Sequence, residues 1–163
     1  MSMQLTPQEL AWLDQEQRRT ADVIRRDGMA IEYVIGDDAT RTPSVAYTIG
    51  LFGIGHPELV VFGLAPHNAG PVLNDVGARV RAGSVLVPGA LVDFDDWAHS
   101  VTVEAVPNPG EILFSANAHY GRSPFASVPA LQLTYDDVDG RFPWDADYRR
   151  PQWVQPRPGA FRA

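Results

Sequence analysis

The polar side chains best suited to chemistry lie around one turn of the sequence. His56 and Glu58 flank a proline, and Tyr47 and Thr48 lie in the alternating segment just before it. The intervening residues include two glycines, so we expect the chain to fold back and bring these side chains together. A histidine in such a cluster can carry a proton or bind a metal ion near neutral pH. The alternative is that His56 only caps the turn by hydrogen bonding to the backbone.

A second polar group is expected at the end of a short helix, where His119, Tyr120 and Arg122 are close in sequence. The planar fork of an arginine can clamp a carboxylate or another anion. Alternatively, His119 and Arg122 only offset the negative end of the helix dipole. Neither group is a complete catalytic set or a recognised metal site, so the sequence does not decide whether the protein is an enzyme. The candidate ligand-binding residues are Tyr47, Thr48, His56, Glu58, His119, Tyr120 and Arg122.

Two residue types are absent, and their absence excludes whole mechanisms. The chain has no cysteine, and all 13 of its basic residues are arginine. Without cysteine there is no disulfide, thiolate nucleophile or iron–sulfur ligation. Without lysine there is no Schiff-base amine and no phosphate-loop lysine, which excludes pyridoxal-phosphate enzymes, P-loop nucleotidases and protein kinases.

Net charge and hydropathy limit the partners. The chain carries 20 acidic and 13 basic residues, a formal charge of −7. This charge argues against nucleic-acid binding, because phosphates are bound by clustered basic side chains. The longest apolar runs are too short to cross a bilayer, and residues 1–19 lack the apolar core of a secretory signal. We therefore expect a cytoplasmic protein without a membrane span, built around one hydrophobic core.

Hydrophobic periodicity predicts the elements that position these groups. Thr6 to Glu9 has the pattern of a capping box, and Gly28 ends the helix that begins there. The strands that follow are joined by short loops, which predicts an antiparallel sheet. The predicted strands are 29–35, 45–51, 59–64, 85–87, 99–106 and 130–135, with 90–93 as a further candidate, and the other predicted helices are 68–82 and 111–120.

The fold predicted from this order is a single α+β domain with a curled, mainly antiparallel sheet flanked by helices, and a split barrel is the alternative. The domain is expected to span residues 1–148. Residues 149–163 form a tail that contains proline and arginine and has no periodicity, so it is either disordered or laid over the domain. Some aromatic residues lie in irregular segments, among them Trp144 and Trp153. We expect them to anchor loops onto the core, to line a pocket or to contact a partner.

Several segments resemble one bacterial family, domain of unknown function 4262. They are YTIGL at 47–51, GHPELVVFGL at 55–64, Tyr120-Gly121, the strand at 130–132, and DGRFPW at 139–144. The likeness covers roughly residues 28–150. The family brings no known activity, so the resemblance implies no catalytic residue. A weaker likeness to flavin-reductase-like split barrels rests only on the order strand, proline-containing turn, apolar strand and helix, and it is an analogy.

Three functions are compatible with this sequence. A small-ligand or partner-binding module is the first, because polar residues gather around Thr48, His56 and Glu58. The second is a flavin-dependent redox domain, with FMN over the small-residue face formed by Ala46, Thr48 and Gly50 and its phosphate at the start of the second helix. The third is an immunity or regulatory protein whose acidic surface covers a basic partner.

Overall fold

The computed structural model describes residues 4–162. Its α-helices are α1 (Pro7–Asp27), α2 (Pro66–Arg81) and α3 (Phe114–Tyr120). The predicted capping box begins α1: the Thr6 hydroxyl accepts a hydrogen bond from the Glu9 N–H at 3.2 Å, and the Glu9 carboxylate accepts one from the Thr6 N–H at 2.7 Å. Gly28 ends the helix with a φ of 84°, in the left-handed conformation that glycine adopts readily. The sequence therefore predicts both ends of α1 correctly.

Six strands form one sheet, and these are β1 (Ala30–Val34), β2 (Val45–Ile49), β3 (Glu58–Phe62), β4 (Leu91–Val92), β5 (Val101–Ala105) and β6 (Ala130–Tyr135). Their spatial order is β1-β2-β3-β6-β5-β4. The β3–β6 pair is parallel and the other neighbouring pairs are antiparallel. The α+β prediction with a mainly antiparallel sheet is confirmed. The split-barrel alternative is wrong, because within residues 4–162 β1 and β4 lie at opposite edges and leave the sheet open.

The parallel pairing of β3 with β6 is the part of the topology that the sequence did not predict. Glu58 lies opposite Ala130, and the Glu58 N–H donates to the Pro129 carbonyl at 3.0 Å. In the chain, α2, β4, β5 and α3 all lie between these two strands. The crossover places the start of β3 beside the loop that follows α3. Two distant parts of the sequence therefore meet around Glu58.

The sheet separates two hydrophobic cores, whereas the sequence predicted one. On one face, α2 packs against the strands through Leu73 and Val76. On the opposite face, α3 packs through Ala116. Gly77 brings α2 close to the start of β1, since a Cβ at this position would lie 2.5 Å from the Met29 sulfur. The two helices therefore cover opposite faces of the same sheet, in the manner of a three-layer domain.

The start of α2 differs from the prediction. The helix begins at Pro66 with Ala65 as its N-cap, so Asn68 lies within the first turn and does not cap it. Proline suits the first helical position because the N–H that it lacks would have no partner within the helix. The predicted start at residue 68 is therefore two residues too late.

Residues 85–87 do not form the predicted strand. Val85 is exposed, and the alternating pattern is therefore not buried against the sheet. Pro88 follows directly and has no N–H to offer to a neighbouring strand. The Leu86 N–H instead donates to a side chain, the Nε2 atom of His56, at 3.3 Å.

α1 packs less than its apolar pattern predicts. None of its residues is buried, and Leu10 and Leu13 are 54% and 37% exposed. Only its C-terminal end reaches the second core, through Val23 and Ile24. The helix therefore covers the sheet only with its last turns, while its first turns lie beside α3. Among the described residues, no helix combines the length and the apolar composition needed to cross a membrane.

Residues 150–162, which we call the C-terminal segment, lie along the domain. Gln155 is buried, its side-chain oxygen accepts a hydrogen bond from the Tyr135 N–H at 2.8 Å, and its Nε2 donates to the Tyr135 carbonyl at 3.0 Å. The Arg157 guanidinium donates to both carboxylate oxygens of Glu104, at 2.7 and 2.9 Å. The segment is thus held on β5 and β6 by side chains and adds no strand to the sheet.

We expect Gln155→Ala to lower the free energy of unfolding by about 2 kcal/mol, because the buried N–H and carbonyl of Tyr135 both lose their partner. Urea unfolding followed by circular dichroism measures the change. Gln152→Ala is the matched control, since this glutamine belongs to the same segment but is exposed, and its loss should stay below about 0.5 kcal/mol. Equal losses in the two variants would contradict the anchoring role of Gln155.

Candidate functional site

Glu58 is a fully buried carboxylate at the start of β3. One of its oxygens accepts a hydrogen bond from the Leu51 N–H at 2.7 Å and one from the Thr48 hydroxyl at 3.2 Å, and the other accepts one from the Gly50 N–H at 3.0 Å. The Thr48 hydroxyl also accepts a hydrogen bond from the Leu59 N–H at 2.9 Å. Gly50 has a φ of 133°, which a residue with a side chain rarely adopts. Thr48 and Glu58 therefore hold the turn between β2 and β3 in place through these hydrogen bonds.

The charge of Glu58 is sensitive to pH near neutrality. Burial raises the pKa of Glu58 to about 7, and the hydrogen bonds from Gly50, Leu51 and Thr48 act in the opposite direction. A carboxylate accepts hydrogen bonds from N–H groups more strongly than a protonated carboxyl does. The protonation state of Glu58 therefore sets both the strength of these bonds and the cost of burying the group.

His56 does not meet Thr48 or Glu58 in a hydrogen bond. Its Nδ1 atom lies 2.8 Å from the Pro57 carbonyl oxygen, which can only accept, so Nδ1 carries the proton. Its Nε2 atom accepts the hydrogen bond from Leu86 described above. These are the bonds of the backbone-capping alternative, and they join the β2–β3 turn to the segment after α2. The structure thus joins Thr48 and Glu58 by a hydrogen bond, whereas the imidazole of His56 contacts Pro57 and Leu86.

Tyr120 and Arg122 cover the same turn from the side of α3. The Tyr120 hydroxyl accepts a hydrogen bond from the Gly53 N–H at 3.2 Å, and its ring meets the Phe52 ring edge-on, with 5.0 Å between centres. Burial, and then the negative charge of Glu58, raise the pKa of Tyr120. The Arg122 guanidinium lies over the Phe52 ring at 5.1 Å, and its Nε donates to a carbonyl of the following loop. Tyr120 and Arg122 therefore both contact the β2–β3 turn, Tyr120 through Gly53 and Phe52 and Arg122 through the Phe52 ring.

Tyr47 and His119 lie at a different place, beside a cleft between α1, α3 and β1. The Tyr47 side chain passes through the second core, and its hydroxyl accepts a hydrogen bond from the Ser115 N–H at 2.9 Å. Ser115 and His119 form the α3 wall of the cleft. The cleft has a volume of about 120 Å³, and we call it the acidic cleft; its lining includes Trp12, Glu16, Thr20, Glu32, Ser115 and His119.

Burial and like charge shift the ionisable groups of the acidic cleft. Burial raises the pKa of Glu32, and the negative charge of Glu16 raises it further. Burial lowers the pKa of His119, so its imidazole is mostly neutral at pH 7. Burial also raises the pKa of Tyr47, with a smaller contribution from the charge of Glu32. The cleft is therefore partly shielded from water and is lined by two carboxylates and a neutral imidazole, while the Tyr47 phenol lies beside it, bonded to the Ser115 N–H.

Trp12, Glu16 and Glu32 were missed at the level of sequence. Glu32 is the polar residue of an alternating strand, and Glu16 is one of many charged residues on α1, so each resembles an ordinary solvent-facing residue. Their proximity depends on how α1 leans over β1 and α3, which no spacing within one element encodes. The one available signal was a single charged residue, Glu32, in a strand that is otherwise apolar.

The structure also contains a histidine–carboxylate pair that the sequence did not predict. His99 Nδ1 lies 2.9 Å from Asp136 Oδ1, and the two side chains are 15% and 9% exposed. The Ser100 N–H donates to the same carboxylate oxygen at 3.2 Å, and the Trp97 ring lies against the imidazole. A carboxylate orients histidine in this way in general-base catalysis, but here the pair ties the start of β5 to the end of β6. Within residues 4–162, no three His, Asp or Glu side chains are grouped as metal ligands would be.

The small-residue face of β2 is used for helix packing. Ala46 lies in the first core together with α2, and Thr48, two residues further along the strand, is fully buried. This is the face over which the flavin alternative would lay its ring. Small side chains here let α2 approach the sheet closely, which is the structural use of such residues in a strand.

These features define an α+β domain with an open mixed sheet, a small acidic cleft, and a turn whose backbone N–H groups donate to a buried carboxylate. The chain belongs to the family described as domain of unknown function (DUF4262), whose family model matches residues 23–149. No curated protein and no solved structure matches the chain. The matched region contains Glu32, Glu58 and His119, whereas Trp12 and Glu16 lie before it.

Proposed function

We propose that this protein is a small-ligand-binding module, and that its ligand lies in the acidic cleft with a positively charged group between Glu16 and Glu32. The observation that carries the proposal is that both carboxylates line one cleft and that the charge of Glu16 raises the pKa of Glu32. Two carboxylates held near each other repel, and a bound cation removes that repulsion. Removal of the repulsion between the two carboxylates therefore contributes favourably to the free energy of binding.

The size of the acidic cleft limits what it can hold. Its volume of about 120 Å³ is close to that of an apolar cavity of about 150 Å³ that accommodates benzene. A primary ammonium or guanidinium group with a short alkyl chain fits this volume. A larger ligand would place only its charged end in the cleft and leave the remainder outside.

Aromatic and neutral polar groups of the acidic cleft complement a cation. The Trp12 side chain is 60% exposed on α1 and lines the cleft, so its ring can cover a bound cation and shield it from water. His119 supports the same ligand, because a neutral imidazole has a lone pair that accepts a hydrogen bond from an ammonium group, whereas a protonated one would repel it. The burial that lowers the pKa of His119 thus favours a cationic ligand at pH 7.

We expect Glu32→Gln to weaken the binding of a small cation by about tenfold or more, because a charge-assisted hydrogen bond is replaced by a neutral one. Isothermal titration with ethylammonium and methylguanidinium measures the affinity, and ethanol serves as the neutral probe. Asp14→Asn is the matched control, since this carboxylate lies on α1 but pairs with Arg18 outside the cleft. Affinity should also fall as pH is lowered through the raised pKa of Glu32, because its protonated form no longer attracts the cation.

Two results would overturn this proposal. One is that neither cation binds the unmodified protein at millimolar concentration. The other is that Glu32→Gln and Asp14→Asn weaken binding equally, which would mean that the cations respond only to the overall negative charge of the chain.

A further inference from the structure

A second cavity has the opposite charge. It lies between the β1–β2 loop and the C-terminal segment, has a volume of about 490 Å³, and is lined by Arg41, Arg157 and Arg162 together with the rings of Trp153 and Phe161. We call it the basic cavity. All the ionisable side chains that line it among the described residues are arginines, although acidic residues outnumber arginines in the chain. Its local charge is therefore opposite to that of the protein.

Two of the three arginines are fixed by carboxylates that lie outside the cavity. Arg157 donates to Glu104 at 2.7 and 2.9 Å, and Arg162 Nη1 lies 2.8 Å from a carboxylate oxygen of Glu111. These ion pairs hold the guanidinium groups in place at the cavity wall. Arg41 differs from them, because its guanidinium makes no ion pair with any residue in the range 4–162. The cavity thus has one guanidinium that forms no ion pair with a carboxylate of the described chain.

The backbone at Arg41 is strained. Its φ is 53°, and it is the one residue other than glycine with a positive φ in the described part of the chain. Paired hydrogen bonds between Asp37 and Thr42 close the loop around it, at 2.8 and 2.9 Å. A side chain in this conformation costs free energy that glycine would not. The loop therefore presents an arginine to the cavity at a position where glycine would be the less strained residue.

We propose that the basic cavity binds a small organic anion in which a carboxylate or phosphate is joined to a planar ring. The oxyanion lies on the guanidinium groups of Arg41 and Arg162, whose forked donors match its geometry. The ring lies against Trp153 and Phe161, since an aromatic surface beside a guanidinium favours a flat, apolar partner. A single arginine without a counter-charge gives the site its preference for an anion over a neutral ring.

This site would join two parts of the chain that are distant in sequence. Arg41 belongs to the β1–β2 loop, whereas the other lining residues named above belong to the C-terminal segment. A ligand that contacts both holds the segment on the domain, so binding should slow the exchange of amide hydrogens in residues 150–162. Arg41 lies within the region matched by the family model, whereas the C-terminal segment lies beyond it.

The test uses the full chain labelled with ¹⁵N and four probes: phenyl phosphate, benzoate, inorganic phosphate and benzyl alcohol. We expect phenyl phosphate and benzoate to shift the amide signals of the loop around Arg41 and of the C-terminal segment. Inorganic phosphate should bind more weakly, since it lacks the ring, and benzyl alcohol should cause no such shifts. Phosphate that binds as tightly as phenyl phosphate, or shifts confined to the acidic cleft, would overturn the proposal.

Two substitutions of Arg41 separate binding from folding. Arg41→Gln should weaken the binding of phenyl phosphate by about tenfold or more, whereas the control Arg18→Gln, on exposed α1, should leave it unchanged. Arg41→Gly should abolish binding while the melting temperature stays the same or rises, because glycine relieves the strained φ. Unchanged affinity in Arg41→Gln, or equal loss in Arg18→Gln, would contradict the assignment.

Discussion

Replacing Glu58 with alanine is expected to lower the free energy of unfolding by about 4 kcal/mol at pH 5. The substitution leaves the N–H groups of Gly50 and Leu51 and the Thr48 hydroxyl without their acceptor inside the protein. Each such buried donor costs about 1–3 kcal/mol, and the space vacated by the side chain adds a cavity term. Relaxation of the turn toward water offsets part of this sum.

Urea unfolding of the two proteins at equal temperature measures the effect. The control is Asp95→Ala, an exposed carboxylate in the loop after β4, for which we expect a change within about 0.5 kcal/mol. A loss of less than about 1 kcal/mol in Glu58→Ala would mean that the turn does not depend on the carboxylate. In that case the hydrogen bonds of Thr48 alone would have to hold β2 and β3 together at this end.

The stability of the protein should fall as pH rises from 5 to 8, and Glu58 should be responsible for about 3 kcal/mol of the decrease. The pKa of Glu58 is raised to about 7 in the folded protein, whereas an unfolded glutamate titrates near 4.3. Between these two values the folded state binds a proton that the unfolded state has lost. Stability from this group is therefore complete below the unfolded pKa and is lost as pH rises through the folded one.

The comparison of the unmodified protein with Glu58→Gln isolates this contribution, because the other ionisable groups are the same in both. Glutamine is neutral at every pH, but its amide group faces the N–H of Gly50 or of Leu51 and so leaves one donor unpaired. We expect Glu58→Gln to be less stable at pH 5 and the difference between the two proteins to shrink toward pH 8. A difference that stays constant over this range would show that Glu58 does not titrate there.

The elements with a strong local signal were predictable from the sequence, and the strand pairings that depend on distant segments were not. β6 spans the predicted residues 130–135, and both ends of α1 follow from capping residues. The β2–β3 hairpin follows from two apolar runs joined by a glycine- and proline-containing turn. The insertion of β6 between β3 and β5 could not be predicted, because strand order is decided by the packing of both cores and not by any one segment.

The same division applies to the candidate site. Thr48 and Glu58 meet because the strands that carry them are consecutive, so their contact follows from the hairpin. The direction of His56 depends on Leu86, which lies beyond α2, and the sequence holds no sign of that contact. The acidic cleft requires α1, β1 and α3 to converge, and each of its carboxylates looks like a surface residue within its own element. The periodicity of a single element does not show how that element packs against the others, so the cleft could not be predicted.

The late position of β6 in the chain has a consequence for synthesis on the ribosome. β3 emerges with β2 on one side, but its other edge stays open until β6 has been made, since the two strands pair in parallel across most of the domain. At about 5–20 residues per second this delay lasts several seconds. During that time an apolar strand with unpaired backbone groups is available to a neighbouring nascent chain. Incorrect pairing of β3 with a strand of another chain is therefore favoured on polysomes, where nascent chains lie close together.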